Sequence, residues 1–304
     1  MILKDAAISQ EELYLVAEII NSHSNVGKPV AELLFQVGIL NNNMDAEYQY
    51  ALLLLTGYPG KQPQKAQGLK LIRSLADRKH GWALYMLAFN AAERGKAVEA
   101  SQLMTMAADQ GNAQAQCQMG IWFDTGVGVA KSPINAIKYL KLAHVQHLTE
   151  ATFRLGIMYM DGRGVERDEK QGFAYYLEAA NKGLAVAQHN VACVYMDGTN
   201  GVAKNPQLAI EYYQMAAENG FPVSQLNLAV FYTTGFKDEA LGVSDIAPDW
   251  VLARKYFDMV SEDDQVLFKN AQDWIGKLDE LQKANPDELK RHQKKHAPSK
   301  CSLM

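Results

Sequence analysis

The chain has 304 residues, a formal net charge of −4, 48% hydrophobic residues and 21% charged ones. That balance suits an ordinary soluble protein and excludes a basic nucleic-acid footprint over the body. The three cysteines, Cys117, Cys193 and Cys301, are too few and too irregular for a disulfide framework, so a reducing compartment is expected.

In chain order, the N-terminus MILKDAAISQEELYLVAEII carries charge early and has no long apolar core. No secretory signal, Arg-rich transit peptide or bilayer-spanning run is expected. Residues 1–41 are predicted as N-terminal capping helices, with 10–41 forming one degenerate helix pair. Residues 42–110 read as two degenerate repeats. The second, HGWALYMLAFNAAERG followed by AVEASQLMTMAADQG, is shortened and lacks a G-x-G turn.

From 111 to 262 four segments align on one frame. Gly120, Gly156, Ala192 and Ala229 are equivalent, at steps of 36, 36 and 37 residues. A period of this size means stacked supersecondary units, each contacting its neighbours. Within one unit, Ala151, Leu155 and Tyr159 form a helical stripe by their spacing of four. Gly156 beside it admits a close neighbouring helix. Asp161-Gly162-Arg163-Gly164 breaks the helix, with Gly162 placed for the left-handed conformation. Gly172, Tyr175, Tyr176 and Ala179 form the second stripe. The unit is therefore helix A, a glycine-rich turn, and helix B.

The turn glycine recurs as Gly126, Gly162, Gly198 and Gly235. The helix A aromatic is Phe123, Tyr159, Tyr195 and Tyr232, and the helix B aromatic is Tyr139, Tyr175, Tyr212 and Tyr256. The helix B small residue is Ala136, Gly172, Ala209 and Ala253; small residues opposite aromatics are expected to interdigitate as core. An insertion, 236–249, lies in the turn of the last repeat. Residues 263–284 are predicted as a C-terminal capping helix, with Glu262-Asp263-Asp264 at its N-terminal turn. Residues 285–304 are predicted as a flexible basic tail that Pro286 and Pro298 keep from continuing a helix.

These residues resemble the Sel-1-like repeat, a relative of the tetratricopeptide repeat. The pattern A-x-x-x-L-G-x-x-Y-x-x-G-x-G-V, then A-x-x-Y-Y-x-x-A-A-x-x-G, is met almost completely by ATFRLGIMYMDGRGV and GFAYYLEAANKG. The resemblance covers about 42–262 and is strongest over 111–235. It implies an all-α fold, a right-handed α/α superhelical solenoid acting as adaptor or scaffold. Ala180 and Ala217 stand where the secreted, disulfide-bearing members carry cysteines, which disfavours that branch.

In tetratricopeptide relatives helix A lines the concave face. One helix A row, Gln118, Arg154, Asn190 and Asn227, is polar at the repeat period. One turn further lie Trp122, Met158, Val194 and Phe231, which are apolar. Amides beside apolar groups suit an extended peptide, the amides pairing its backbone and pockets taking its side chains. These eight residues are the expected partner-binding surface.

The chain ends Cys301-Ser302-Leu303-Met304, which reads as C-a-a-X with a preference for farnesyl. Lys290, Arg291, Lys294, Lys295 and Lys300 precede it. A single lipid chain holds only marginally, so a polybasic patch, about 1 kcal/mol per residue near an anionic surface, is a useful second signal. Repeats with such a terminus resemble fungal chitin synthase activators. The expectation is a non-catalytic adaptor for a protein or peptide partner, held at the cytosolic face of a membrane. The alternative is a soluble cytosolic scaffold or assembly factor with an unmodified tail.

No cofactor, metal, nucleic acid or small-molecule substrate is expected. His144 and His147 lack further ligands at a suitable spacing, Cys117 and Cys193 read as buried small hydrophobes, and the Asp-Gly turns read as repeat punctuation.

Overall fold

The computed structural model describes residues 10–23, 27–235 and 247–296. The named elements among them are sixteen helices, joined by turns and one isolated bridge between Tyr58 and Lys61. Two compact units divide the chain after Ala151.

The first unit holds four helix hairpins: α1 (Gln10–His23) with α2 (Lys28–Leu40), α3 (Met44–Thr56) with α4 (Lys65–Asp77), α5 (Gly81–Glu93) with α6 (Ala97–Asp109), and α7 (Ala113–Thr125) with α8 (Pro133–Val145). The second holds α9 (Thr149–Asp161), which starts at the boundary, with α10 (Glu169–Asn181), then α11 (Ala185–Asp197) with α12 (Pro206–Glu218), and α13 (Pro222–Thr234) with α14 (Trp250–Asp258). It closes with α15 (Gln265–Ala284) and α16 (Pro286–His296). Helices α2 to α13 are each 13 residues long. Equal length puts equivalent side chains at the same height in each hairpin.

Local chemistry sets the helix starts. At helix B, the side chains of Ser132, Asp168, Asn205 and Asp249 each accept from the backbone N–H three residues on, at 2.9 to 3.4 Å. Each satisfies one of the amides that a helix start leaves orphaned. The backbone N–H of the same four residues donates to the carbonyl of the helix A aromatic: Ser132 to Phe123, Asp168 to Tyr159, Asn205 to Tyr195 and Asp249 to Tyr232, at 2.7 to 3.0 Å. Asp249 is therefore a repeat position rather than the last residue of the insertion. Residues 236–246 of that insertion lie outside the described residues.

The turn glycines take positive φ: 84° at Gly126, 67° at Gly162, 68° at Gly198 and 73° at Gly235. Helix A of the α9–α10 hairpin closes tightly on its partner. A Cβ on Gly156 would stand 2.6 Å from Tyr176 Cδ1 and 3.1 Å from the Gly172 carbonyl oxygen.

The helix A and helix B aromatics meet each other. Ring centroids are 5.6 Å apart for Phe123–Tyr139, 5.4 Å for Tyr159–Tyr175, 5.9 Å for Tyr195–Tyr212 and 5.9 Å for Tyr232–Tyr256. The small helix B residues Ala136, Gly172, Ala209 and Ala253 are buried beneath. In the first unit the core gathers Ile72, Leu75, Leu84, Met104 and Met119, with a smaller cluster around Phe35. In the second, Phe153, Phe173, Tyr176 and Val191 form one cluster, and Leu228, Trp250, Phe257 and Leu278 another.

The C-terminal segment departs from the expected flexible tail. Residues 286–296 form α16, with Pro286 at its first position, where a missing N–H costs nothing. The helix is held by specific contacts. His292 accepts from the Trp250 backbone N–H at 3.2 Å, and its ring stands edge-on to the indole at 5.1 Å. Asp249, only 1% exposed, receives Lys295 Nζ at 3.1 Å and contacts His296 Nε2 at 2.7 Å. Burial alone would raise the Asp249 carboxyl. The His296 contact, the Leu252 backbone N–H and Lys295 outweigh it and hold the pKa below its ordinary value. Asp264 caps α15, accepting from the N–H groups of Val266 and Leu267.

Candidate functional site

The polar helix A row keeps one level of exposure throughout. Gln118 in the first unit is half-buried, as are Arg154, Asn190 and Asn227 in the second. In the last two of these helices the amide also serves the fold: Asn190 is hydrogen-bonded to the Tyr176 phenol and Asn227 to the Tyr213 phenol. Burial pushes the Tyr176 phenol up to about 12, with the Asn190 bond acting against it.

The apolar row lies deeper than a set of open pockets requires. Trp122 is 8% exposed, Met158 2% and Val194 6%, while Phe231 is half-buried. Four residues beyond the polar row, the helix surface has turned toward helix B, so Trp122 and Val194 join their core clusters.

A second periodic polar set is buried. Gln116, Gln188 and Gln225 are at most 5% exposed. Each donates from Nε2 to a carbonyl eight residues earlier, near the end of the preceding helix B: Ala108, Ala180 and Ala217, all at 3.1 Å. Two of them also accept from the residue that ends their own helix B: Gln116 from Gln146 at 2.8 Å, and Gln188 from Asn219 at 2.9 Å. The recurring Ala-Gln, Ala-Gln and Ser-Gln dipeptides at 115–116, 187–188 and 224–225 were the available signal.

The second unit also brings together nucleophilic side chains. His189 Nδ1 lies 2.8 Å from Ser224 Oγ, Cys193 Sγ lies 3.5 Å from His189 Nε2 and 3.3 Å from the Tyr213 hydroxyl. Burial lowers the His189 pKa and raises that of Cys193. Both shifts favour neutral forms, the opposite of an activated thiolate–imidazolium pair. Cys117 is buried. No group of three metal-ligating side chains occurs among the described residues, His144 and His147 included.

The basic residues expected at a membrane surface divide. Lys290 pairs with Asp287 and Lys295 with Asp249, while Arg291 and Lys294 are exposed on α16. Lys300 and Cys301 lie outside the described residues. No described helix is long and apolar enough to cross a membrane.

Four segments, 45–80, 113–143, 149–184 and 185–221, match the Sel1 repeat family model. Among solved structures, the chain is similar to a Sel1 repeat protein from Oxalobacter formigenes, at 23% identity and a TM-score of 0.65, over 82% of this chain and 96% of that one. It is also similar to a protective antigen present in uropathogenic Escherichia coli strains displaying an SLR fold, at 22% identity and a TM-score of 0.62, over 84% of this chain. The chain spans 54% of that protein's length. No curated protein is significantly similar in sequence. These four segments are thus Sel1 repeats, and the chain is a Sel1 repeat protein. Such proteins generally act as protein-interaction scaffolds.

Proposed function

We propose that the chain is a non-catalytic adaptor that holds a protein or peptide partner on helix A residues, at Arg154, Asn190 and Asn227 in the second unit and at Gln118 in the first. One observation carries this reading. At the same register in four consecutive repeats a hydrogen-bonding side chain stays partly exposed, while its neighbours one turn on are largely buried. Amides held in place, as Asn190 and Asn227 are by the Tyr176 and Tyr213 phenols, offer a peptide backbone partners with little ordering cost. The test is selection of extended peptides from a random display library on the folded chain. Selected peptides should bind at least about tenfold more weakly to Gln118→Ala and Asn190→Ala variants of unchanged helicity. Peptides indifferent to every row substitution would sink the assignment.

A finer proposal adds a tether: farnesylation of Cys301, in the manner of chitin synthase activators, with Arg291 and Lys294 as the basic residues left to face an anionic surface. Its support is the C-S-L-M sequence and the basic residues before it. The engagement of Lys295 by buried Asp249 favours instead a scaffold with no lipid. Intact-mass analysis after expression in eukaryotic cells, with Cys301→Ser beside it, separates the two. A farnesyl mass with loss of membrane partition in the variant supports the tether. An unmodified cysteine removes it and leaves the scaffold.

A further inference from the structure

The first unit contains a cleft that the helix A row does not touch. Its walls come from three successive helices A: Tyr14 and Glu18 of α1, Asp45, Tyr48, Gln49 and Leu52 of α3, and Trp82 of α5. Its volume is about 290 Å³. That is at the lower edge of small-molecule pockets, roughly 300–1,000 Å³, and suits one side chain better than a cofactor.

The chemistry of the walls is one-sided. Two carboxylates and three aromatic rings line the cleft, and among the described residues no lysine or arginine does. The nearby Arg78 is occupied by Glu47. Glu18 is held in place by two donors, the Tyr14 hydroxyl at 2.7 Å and Gln49 Nε2 at 3.0 Å. Both bonds fall on Oε1. Asp45 Oδ1 meets His80 Nε2 at 3.0 Å, yet the Asp45 side chain remains 59% exposed. Trp82 is 39% exposed. Carboxylates with unspent acceptor capacity beside aromatic faces are what a cationic side chain requires.

An aromatic stripe leads away from the cleft along α5. Trp82 meets Tyr85 edge-on at 5.7 Å, Tyr85 meets Phe89 at 4.9 Å, and Phe89 is 40% exposed. A free amine has no use for such a stripe, whereas a peptide presenting a cation lays its neighbouring apolar residues along it.

We infer that this cleft receives a lysine or arginine side chain from a protein partner, with Glu18 and Asp45 as counter-charges and Tyr14, Tyr48 and Trp82 as the surrounding rings. The site is independent of the polar helix A row and stands or falls apart from it.

The experiment is fluorescence anisotropy of the folded chain with a labelled Gly-Phe-Lys-Phe-Gly peptide amide and its Arg, norleucine and Gln counterparts. The Lys and Arg peptides should bind saturably, and the norleucine and Gln peptides at least about tenfold more weakly. Trp82→Ala and Asp45→Asn should each weaken the Lys peptide by a similar factor. Glu18→Gln keeps the side chain's shape and should do the same. Gln118→Ala should leave the binding unchanged. Thermal melting of each variant separates lost binding from lost folding. Equal binding of the norleucine peptide overturns the inference, as does wild-type affinity in stably folded Asp45→Asn and Glu18→Gln. Saturable binding of choline or putrescine without binding of the Lys peptide overturns the assignment to a protein partner. Loss of the Lys peptide in Gln118→Ala would place it on the polar row and overturn the cleft alone.

Discussion

Gln188 reaches back from helix α11 and donates from Nε2 to the carbonyl of Ala180, at 3.1 Å, where α10 is running out of partners for its last carbonyls. Its own carbonyl oxygen is taken by Asn219, so one side chain joins two successive repeats. Gln188→Leu keeps much of the volume and strands both partners. A buried unsatisfied group costs about 1–3 kcal/mol, so the variant should lose a measurable share of stability in urea denaturation. A substitution that leaves the midpoint unchanged would show that water replaces the amide.

Three turns between hairpins use a left-handed residue other than glycine, the first of them Asn42 at φ 61°. Lys79 has φ 64° and His147 has φ 62°, where the matching turns carry Gly111 and Gly183. A side chain in that conformation is disfavoured by roughly 1 kcal/mol. His147→Gly and Lys79→Gly are therefore expected to hold or raise the melting temperature, against the usual direction for glycine. Calorimetry on the two single variants checks this.

Gly156→Ala should act in the opposite direction. The added methyl meets the Tyr176 ring and the Gly172 backbone inside the contact limit, and backbone cannot swing aside. Overpacking of this kind costs about 1–3 kcal/mol. Chemical denaturation should show the loss, with far-UV helicity intact.

The Asp249 contacts give a pH dependence of known sign. The folded carboxyl titrates below its ordinary value. Its contribution to stability is therefore complete above the unfolded pKa, about 3.9, and is lost as the pH falls through the lower folded value. Asp249→Asn should be less stable than wild type at pH 6, and the gap should close in acid below pH ~3. Unfolding midpoints with a gap of constant size across that range would show that the effect is not the lost charge, since an asparagine still caps a helix as Asn205 does.

Much of the fold was legible because it repeats. Gly156, the turn glycines and the paired aromatics recur at one spacing, and a recurring residue type signals a recurring environment. The hairpin at 80–110 was also visible, although it lacks the G-x-G turn and falls outside the four matched segments. The buried glutamines were missed because a polar residue beside Gln118 and Asn190 reads as solvent face. Only the three-dimensional joint shows that Gln116 and Gln188 are spent on backbone. Helix α16 was missed for a different reason. By residue type Pro286 reads as a breaker, whereas at a first helical position it starts a helix. The partners that anchor α16, Trp250 and Asp249, lie over forty residues away. The cleft around Glu18 and Trp82 joins three helices of the weakest repeats, where no period points to it.

The clasp between each helix A aromatic carbonyl and the residue that opens helix B has a separate consequence. It closes over nine residues at Phe123–Ser132 and Tyr159–Asp168, ten at Tyr195–Asn205 and seventeen at Tyr232–Asp249. The rings of Tyr232 and Tyr256 still stack at 5.9 Å, nearly parallel at 8°. The scaffold thus fixes the two ends of each turn and leaves the length between them open. A longer stretch inside the last clasp therefore leaves its two ends in register. A reporter or a second domain spliced there would hang from a frame already built to ignore its size.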